Sequence, residues 1–201
     1  MDKRSYAMGM SIAHNMLHSG VKDLQFDDFA AGIKAILTGE KPALSIEEAG
    51  DILDKYFAEM EAQQKEQADA MAAVYKTEGE AFLAQNAKQD GVKVTASGLQ
   101  YKVITKGSGK KPKATDRVRC HYEGRLVDGT KFDSSYDRNE PAVFGLNQVI
   151  PGWTEGVQLM SEGSKFEFYI PYNLGYGERG ASGAIPPYAA LIFVVELIAV
   201  L

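Results

Sequence analysis

The sequence predicts an α+β protein: an all-α N-terminal part, a long connecting helix, and a C-terminal antiparallel sheet wrapped around one short helix. Three observations carry that expectation. Up to about position 90 the apolar residues recur at helical spacing, whereas from residue 92 onward they alternate or run in short blocks bounded by turn residues. Residues 61–70, "EAQQKEQADA", contain no large apolar side chain yet also no Pro or Gly, the mark of a helix polar on every side that bridges solvent between domains. Among the later strands only Trp153 to Met160 has helical length.

The elements follow in order. Tyr6, Met10, Ala13 and Leu17 form one apolar stripe, with Gly20 as its stop, and Phe26, Ala30, Ile33 and Leu37 form a second that ends at Gly39. "SIEE" offers a capping box, with Ser45 as N-cap and Glu48 at the third helical position. Ala49, Ile52, Leu53, Tyr56, Phe57 and Met60 mark the next apolar face, which resumes at Met71, Val74, Tyr75, Phe82 and Leu83 before Asp90-Gly91 closes it. Unbroken from 45 to about 88, this helix has a length of roughly 65 Å at about 1.5 Å per residue. Gly79 costs about 1 kcal/mol relative to Ala there and marks a place for a kink or break. Beyond it, "LQYKVIT" (99–105), "DRVRCHYEGRLV" (116–127), "TKFDSS" after the Asp128-Gly129 hairpin turn, "KFEFYIP" (165–171) and "ALIFVVELIAVL" (190–201) read as about five antiparallel strands. The domain organisation expected is a helical domain over 1–60, the continuation of the connecting helix over 61–91, and a sheet domain over 92–201.

Composition excludes more than it selects. A hydrophobic share of 45% and a charged share of 24% are those of a globular chain rather than a disordered one. The net charge of −5 gives no electrostatic reason for nucleic acid or an anionic membrane as partner. Cys120 is the single cysteine, so no intrachain disulfide can form and a Cys-based metal site is not expected. No apolar run reaches the roughly 18 residues of a membrane span. "MDKRSYAMGMSIAHNML" begins basic, but His14 and Asn15 interrupt its apolar stretch and no A-x-A-like site follows, so a signal peptide is not expected. The default location is cytoplasmic, or periplasmic if a signal peptide has been removed from the chain.

Several chemistries can be set aside. His14 and His18 share a helix face without a third ligand nearby, a solvated pair rather than a metal site. "KGSGKKP" (106–112) lacks the spacing of a phosphate-cradling loop, and no G-x-S-x-G elbow is present. On a strand Cys120 and Tyr122 share one face and His121 the other, so Cys120 reads as core and His121 as surface. What remains is aromatic. Tyr122, Phe132, Trp153, Tyr176 and Phe193 lie far apart in sequence, at strand ends, a helix start or a loop: either a shared core or a concave apolar site. Trp153, the only tryptophan, is the centre of that choice between filler and pocket floor.

"VRCHYEGRLVDGTKFDSS", "VIPGWTEGVQLM", "IPYNLGYGERGASGAIPP" and "LIFVVELI" together resemble the FKBP-type peptidyl-prolyl cis-trans isomerases, over residues 97–201. The N-terminal helices with their long third member are similar to the dimeric Mip-like bacterial branch. The resemblance implies an FKBP-like sheet and an enzyme that accelerates X–Pro isomerisation during protein folding, with no metal or other cofactor. It implies a catalytic set of Tyr122, Phe132, Asp133, Trp153, Tyr176 and Phe193, with Trp153 as the floor of a proline pocket. Tyr122, Phe132, Val149, Ile150, Ile185 and Phe193 would line its walls, and Phe144 joins the substrate-binding set. Asp133 would lie beside the substrate carbonyl, held by Arg138; Tyr176 and the Ile150 N–H would bond the peptide. Macrolides such as rapamycin or tacrolimus would bind where the proline sits. Two departures stand out: Ala142, where many members have Phe, and Ala181, where some have His.

Unfolded or proline-containing proteins are the clients that this implies. The alternative is a chaperone-like module that grips proline peptides with little catalytic use. A homodimer through residues 1–60 is expected on separate grounds. Three amphipathic helices of that length form a marginal core, and their stripes carry Met8, Met10, Met16, Phe26, Phe29, Phe57 and Met60, more apolar surface than they can hide alone. The long helix would then hold each sheet domain away from the dimer.

Overall fold

Helix α1 (Lys3–His18) starts where the Asp2 carboxylate accepts the Ser5 N–H at 2.7 Å, in a computed structural model that describes residues 1–181 and 183–201. Helix α2 (Phe26–Thr38) ends on Gly39, whose φ of 72° is the left-handed cap that glycine adopts without strain. Both apolar stripes form as the spacing predicts, yet neither helix buries a residue. Phe26 is 79% exposed and Leu37 80%, so among the described residues these faces are largely uncovered.

Helix α3 (Ile46–Asn86) opens with the expected capping box. The Ser45 N–H donates to Glu48 Oε2 at 2.8 Å, and the Glu48 N–H donates to Ser45 Oγ at 3.1 Å. Its 41 residues run unbroken through Gly79, and residues 61–70 are exposed on every side. Gly79 is not a kink. It is buried, and a Cβ there would stand 3.0 Å from Ala190 Cβ, so the missing side chain is what lets the helix approach the segment just before Leu191. Further along, the Phe82 and Tyr169 rings lie 6.0 Å apart. The buried Asn86 and Gln100 satisfy each other: Asn86 Nδ2 donates to Gln100 Oε1, and Gln100 Nε2 donates to the Leu83 carbonyl, both at 2.9 Å. The last turns of α3 thus go with the sheet. The two compact units are Met1–Gln67 and Ala68–Leu201.

Among the described residues the sheet contains seven strands rather than about five: β1 (Val92–Val94), β2 (Gln100–Thr105), β3 (Arg117–Leu126), β4 (Lys131–Ser134), β5 (Ala142–Gly145), β6 (Lys165–Ile170) and β7 (Leu191–Val200). Their order is β1-β2-β6-β7-β3-β4, all antiparallel, with β5 paired to the first half of β3. The two unanticipated strands, "VKV" and "AVFG", are three and four residues long, too short to display a period. Helix α4 (Pro151–Val157) lies against the sheet's apolar face. It begins before the anticipated Trp153, because Pro151 supplies a preset φ at the first helical position. Gly156 lets it close on the sheet: a Cβ there would meet the Phe168 ring at 2.7 Å. Around this contact Leu99, Met160, Phe168, Ile170, Leu191 and Val195 are almost wholly buried, each contributing about 1.5–3 kcal/mol of transfer free energy.

Alternation on β3 places Cys120 and Tyr122 in the core, as expected. Burial pushes the Cys120 thiol up to about 12, which leaves it inert. His121 is a correction. It is half-buried rather than a plain surface residue, stacked on Tyr136 at 4.6 Å and 14°, with Nδ1 2.9 Å from the buried Ser135 hydroxyl. The reverse face of β3 is covered by the segment after β4, which strand alternation alone does not show.

Candidate active site

Trp153 stands in the first turn of α4, 4% exposed, its N–H donating to the Ile150 carbonyl at 2.9 Å. Three rings meet it edge to face: Tyr122 of β3 at 5.3 Å and 88°, Phe144 of β5 at 5.4 Å and 75°, and Phe193 of β7 at 5.4 Å and 86°. That is the arrangement ring quadrupoles prefer, and it fixes the rings against one another. Phe132 of β4 extends the set by meeting Phe193 at 5.4 Å and 81°. Gly124, opposite Phe193 across the strand pair, makes this wall possible, since a Cβ there would lie 2.7 Å from atoms of both Phe132 and Phe193.

Above these rings opens a cavity of about 510 Å³. Of the residues that the sequence singled out, it brings together Tyr122, Phe132, Asp133, Phe144, Val149, Ile150, Trp153, Tyr176, Ile185 and Phe193. Arg138 does not line it; it reaches Asp133 from outside. Gln148 and Ala184 line the cavity without having been anticipated, and nothing in their sequence setting distinguishes them. Ala181, noted as a departure, also sits on the wall, whereas Ala142 packs against the core beside the cavity. Among the described residues the Ile150 N–H has no protein acceptor, and it lies at the cavity edge.

One corner is polar. The Tyr122 hydroxyl donates to Asp133 Oδ2 at 2.5 Å, Arg138 Nη1 donates to Asp133 Oδ1 at 2.5 Å, and Arg138 Nη2 donates to the Tyr122 oxygen at 2.9 Å. Burial of the Asp133 carboxyl works to raise its pKa, but the Tyr122 and Arg138 hydrogen bonds and the guanidinium charge outweigh it, and the net direction is down. Asp133 is therefore ionised at neutral pH. Tyr122 shifts up, first because of burial and then because it donates to the Asp133 carboxylate. Tyr176 shifts up through burial and the nearby Asp133 charge. Both phenols stay protonated and able to donate. Ser135 is the support that sequence reasoning missed. Its wholly buried hydroxyl accepts the Tyr122 N–H at 2.8 Å, and its own N–H donates to the Tyr122 carbonyl at 3.0 Å, which pins that residue from behind.

A family model described as FKBP-type peptidyl-prolyl cis-trans isomerase matches residues 108–198, and one described as the domain amino terminal to it matches residues 1–103. The chain belongs to the FKBP-type peptidyl-prolyl cis-trans isomerases. It is 48% identical to the FKBP-type peptidyl-prolyl cis-trans isomerase FkpA of Aeromonas hydrophila, over 99% of this chain and 76% of that protein. It is 40% identical to the outer membrane protein MIP of Legionella longbeachae, over 99% of this chain and 85% of that one. The crystal structure of FkpA from Escherichia coli matches with a TM-score of 0.79 at 36% identity, covering 98% of this chain and 95% of that chain. The helical half and the antiparallel sheet are thus both those of this FKBP-type group. No helix is long and apolar enough to cross a membrane among the described residues. The cytoplasmic default finds no support in these relatives, one of which is named for the outer membrane.

Proposed function

We propose that the cavity over Trp153 is where this FKBP-type isomerase turns the X–Pro bond, and that the residues gathered there carry the reaction. The observation that supports this most is the aromatic box itself: Trp153 as floor, three rings edge-on around it, and polar groups only at the rim. An X–Pro bond faces a barrier of about 18–20 kcal/mol because resonance gives the C–N bond double-bond character. Its isomers differ by only about 0.5–1 kcal/mol, so the task is speed. The planar amide is the charge-separated form. Transfer into an apolar box disfavours it relative to the twisted transition state, and each ~1.4 kcal/mol of that difference is tenfold in rate.

The polar rim adds direction. The ionised Asp133, beside the substrate carbonyl, repels the negative charge that the planar form places on that oxygen, and twisting relieves the repulsion. Arg138 and Tyr122 hold the carboxylate in that position. The free Ile150 N–H and the Tyr176 hydroxyl donate to peptide carbonyls and keep the chain in register. The test is protease-coupled isomerisation of a short X–Pro peptide. Turnover by Trp153→Ala falls at least about tenfold, the effect of ~1.4 kcal/mol; wild-type turnover at the uncatalysed rate would favour the peptide-gripping alternative. Rapamycin or tacrolimus competes for the cavity and changes Trp153 fluorescence.

The helical half has a separate role in this reading. The bare apolar faces of α1, α2 and the start of α3 support a homodimer through residues 1–60 that captures unfolded, proline-containing clients. An envelope location is the reading that the Legionella relative's name favours, and cell fractionation checks it.

A further inference from the structure

Lys76 lies on the part of α3 that belongs to the sheet unit, and among the described residues it enters no salt bridge. Its ammonium stands 5.9 Å from the centroid of the Tyr172 ring and 5.4 Å from that of Tyr188. The two rings meet each other edge to face, 5.1 Å apart at 66°. Both distances fall within the roughly 6 Å over which a cation is attracted to a ring face.

These two tyrosines are the feet of the loop that follows β6. The Tyr172 carbonyl accepts the Gly175 N–H at 3.0 Å and the Gly177 N–H at 2.8 Å, and the Tyr188 N–H donates to the Gly177 carbonyl at 3.1 Å. The backbone on both sides of Tyr176 is therefore tied to the ring pair. Tyr188 itself has φ +58°, a left-handed conformation that a bulky residue holds only when its surroundings fix it. Between the two feet the chain contributes Tyr176, Ala181, Ala184 and Ile185 to the cavity. A helix outside the pocket thus touches the base of the pocket's most exposed wall.

We propose that Lys76 is a positioning residue for the isomerase site: its ammonium clasps the Tyr172–Tyr188 pair and holds the loop between them with Tyr176 and Ile185 facing the cavity. The proposal rests on the reading of that cavity as the isomerase site. A cation–ring contact at an exposed position shifts an equilibrium by about two- to fivefold. Apparent affinity falls with the fraction of molecules whose site is competent, whereas a bound substrate selects the competent loop. Loss of the clasp therefore raises KM and leaves kcat alone.

The experiment measures kcat and KM of the full-length chain on a short X–Pro peptide for wild type, Lys76→Met, Lys76→Arg and Trp153→Ala, with melting temperatures alongside. The result expected is a KM raised, by up to about fivefold, for Lys76→Met at unchanged kcat, and a wild-type KM for Lys76→Arg, because a guanidinium also attracts ring faces. Unchanged KM in Lys76→Met, with or without a lower melting temperature, overturns the proposal. So does a rise in KM that Lys76→Arg shares, since the charge would then not be what matters. Wild-type turnover by Trp153→Ala would instead overturn the reading of the cavity, whatever Lys76 does.

Discussion

Asp133 shows how a single side chain is set by what donates to it. Two donors, Tyr122 and Arg138, share its two oxygens, and its pKa lies below the ordinary carboxylate value despite partial burial. A group whose folded pKa is depressed contributes stability above its unfolded value and loses it as pH falls through the folded one. The contribution of ionised Asp133 to activity therefore persists from neutral pH down to about 4, the ordinary carboxylate value, and is lost only below it. Asp133→Asn removes this acid limb from a pH profile of kcat/KM and lowers its plateau. Gly124 acts at the same scale. Gly124→Ala drives a methyl group into the Phe132 and Phe193 rings, which costs about 1–3 kcal/mol of overpacking and narrows the cavity. Urea melts and macrolide titration of that variant read both effects.

At the scale of elements, the junction of α3 with the sheet matters most. Gly79 against Ala190, Phe82 against Tyr169, and the Asn86–Gln100 pair make the last turns of α3 part of the sheet unit. Gly79→Leu lowers stability by about 1–3 kcal/mol, because α3 can no longer close on Ala190 just before β7. A fragment of residues 68–201 is more stable than one of 92–201. The shorter piece loses the two hydrogen bonds of Gln100, each about 0.5–1.5 kcal/mol net, and uncovers the Tyr169 ring that Phe82 packs against. Equal melting curves for the two fragments would show that α3 contributes nothing there.

For the whole molecule, oligomeric state is the open quantity with a sharp test. Leu37 and Phe26 are among the most exposed apolar side chains, and α1 and α2 bury nothing within the chain. A two-fold partner presenting the same faces hides them at no cost in new sequence. Light scattering on the full chain gives about twice the chain mass of 21.9 kDa, and the 68–201 fragment runs as a monomer. That fragment isomerises short peptides as the full chain does but refolds a proline-limited protein poorly, since two linked sites raise effective concentration on one client. Full refolding activity in the fragment would remove the client-capture role from residues 1–60.

The sequence by itself determined the helical half, five of the sheet's strands and the family. Each of these is written locally: stripes at helical spacing, the Ser45–Glu48 capping box, alternation along β3 and β6, and motifs of fixed spacing around Trp153. Tertiary structure decided what depends on residues distant in sequence. Gly79 looks like a weak point until Ala190 arrives against it. His121 looks like surface until the segment after β4 brings Ser135 and Tyr136 over it. The strands β1 and β5 are too short to have a period and exist because β2 and β3 offer them an edge. Nothing in the sequence around Lys76 marks it; only the return of the chain after β6 sets two tyrosine rings beneath it. Local patterns are legible because backbone geometry repeats over a few residues. A close approach or a ring under a cation follows from the path of the whole chain, and no window of sequence contains that path.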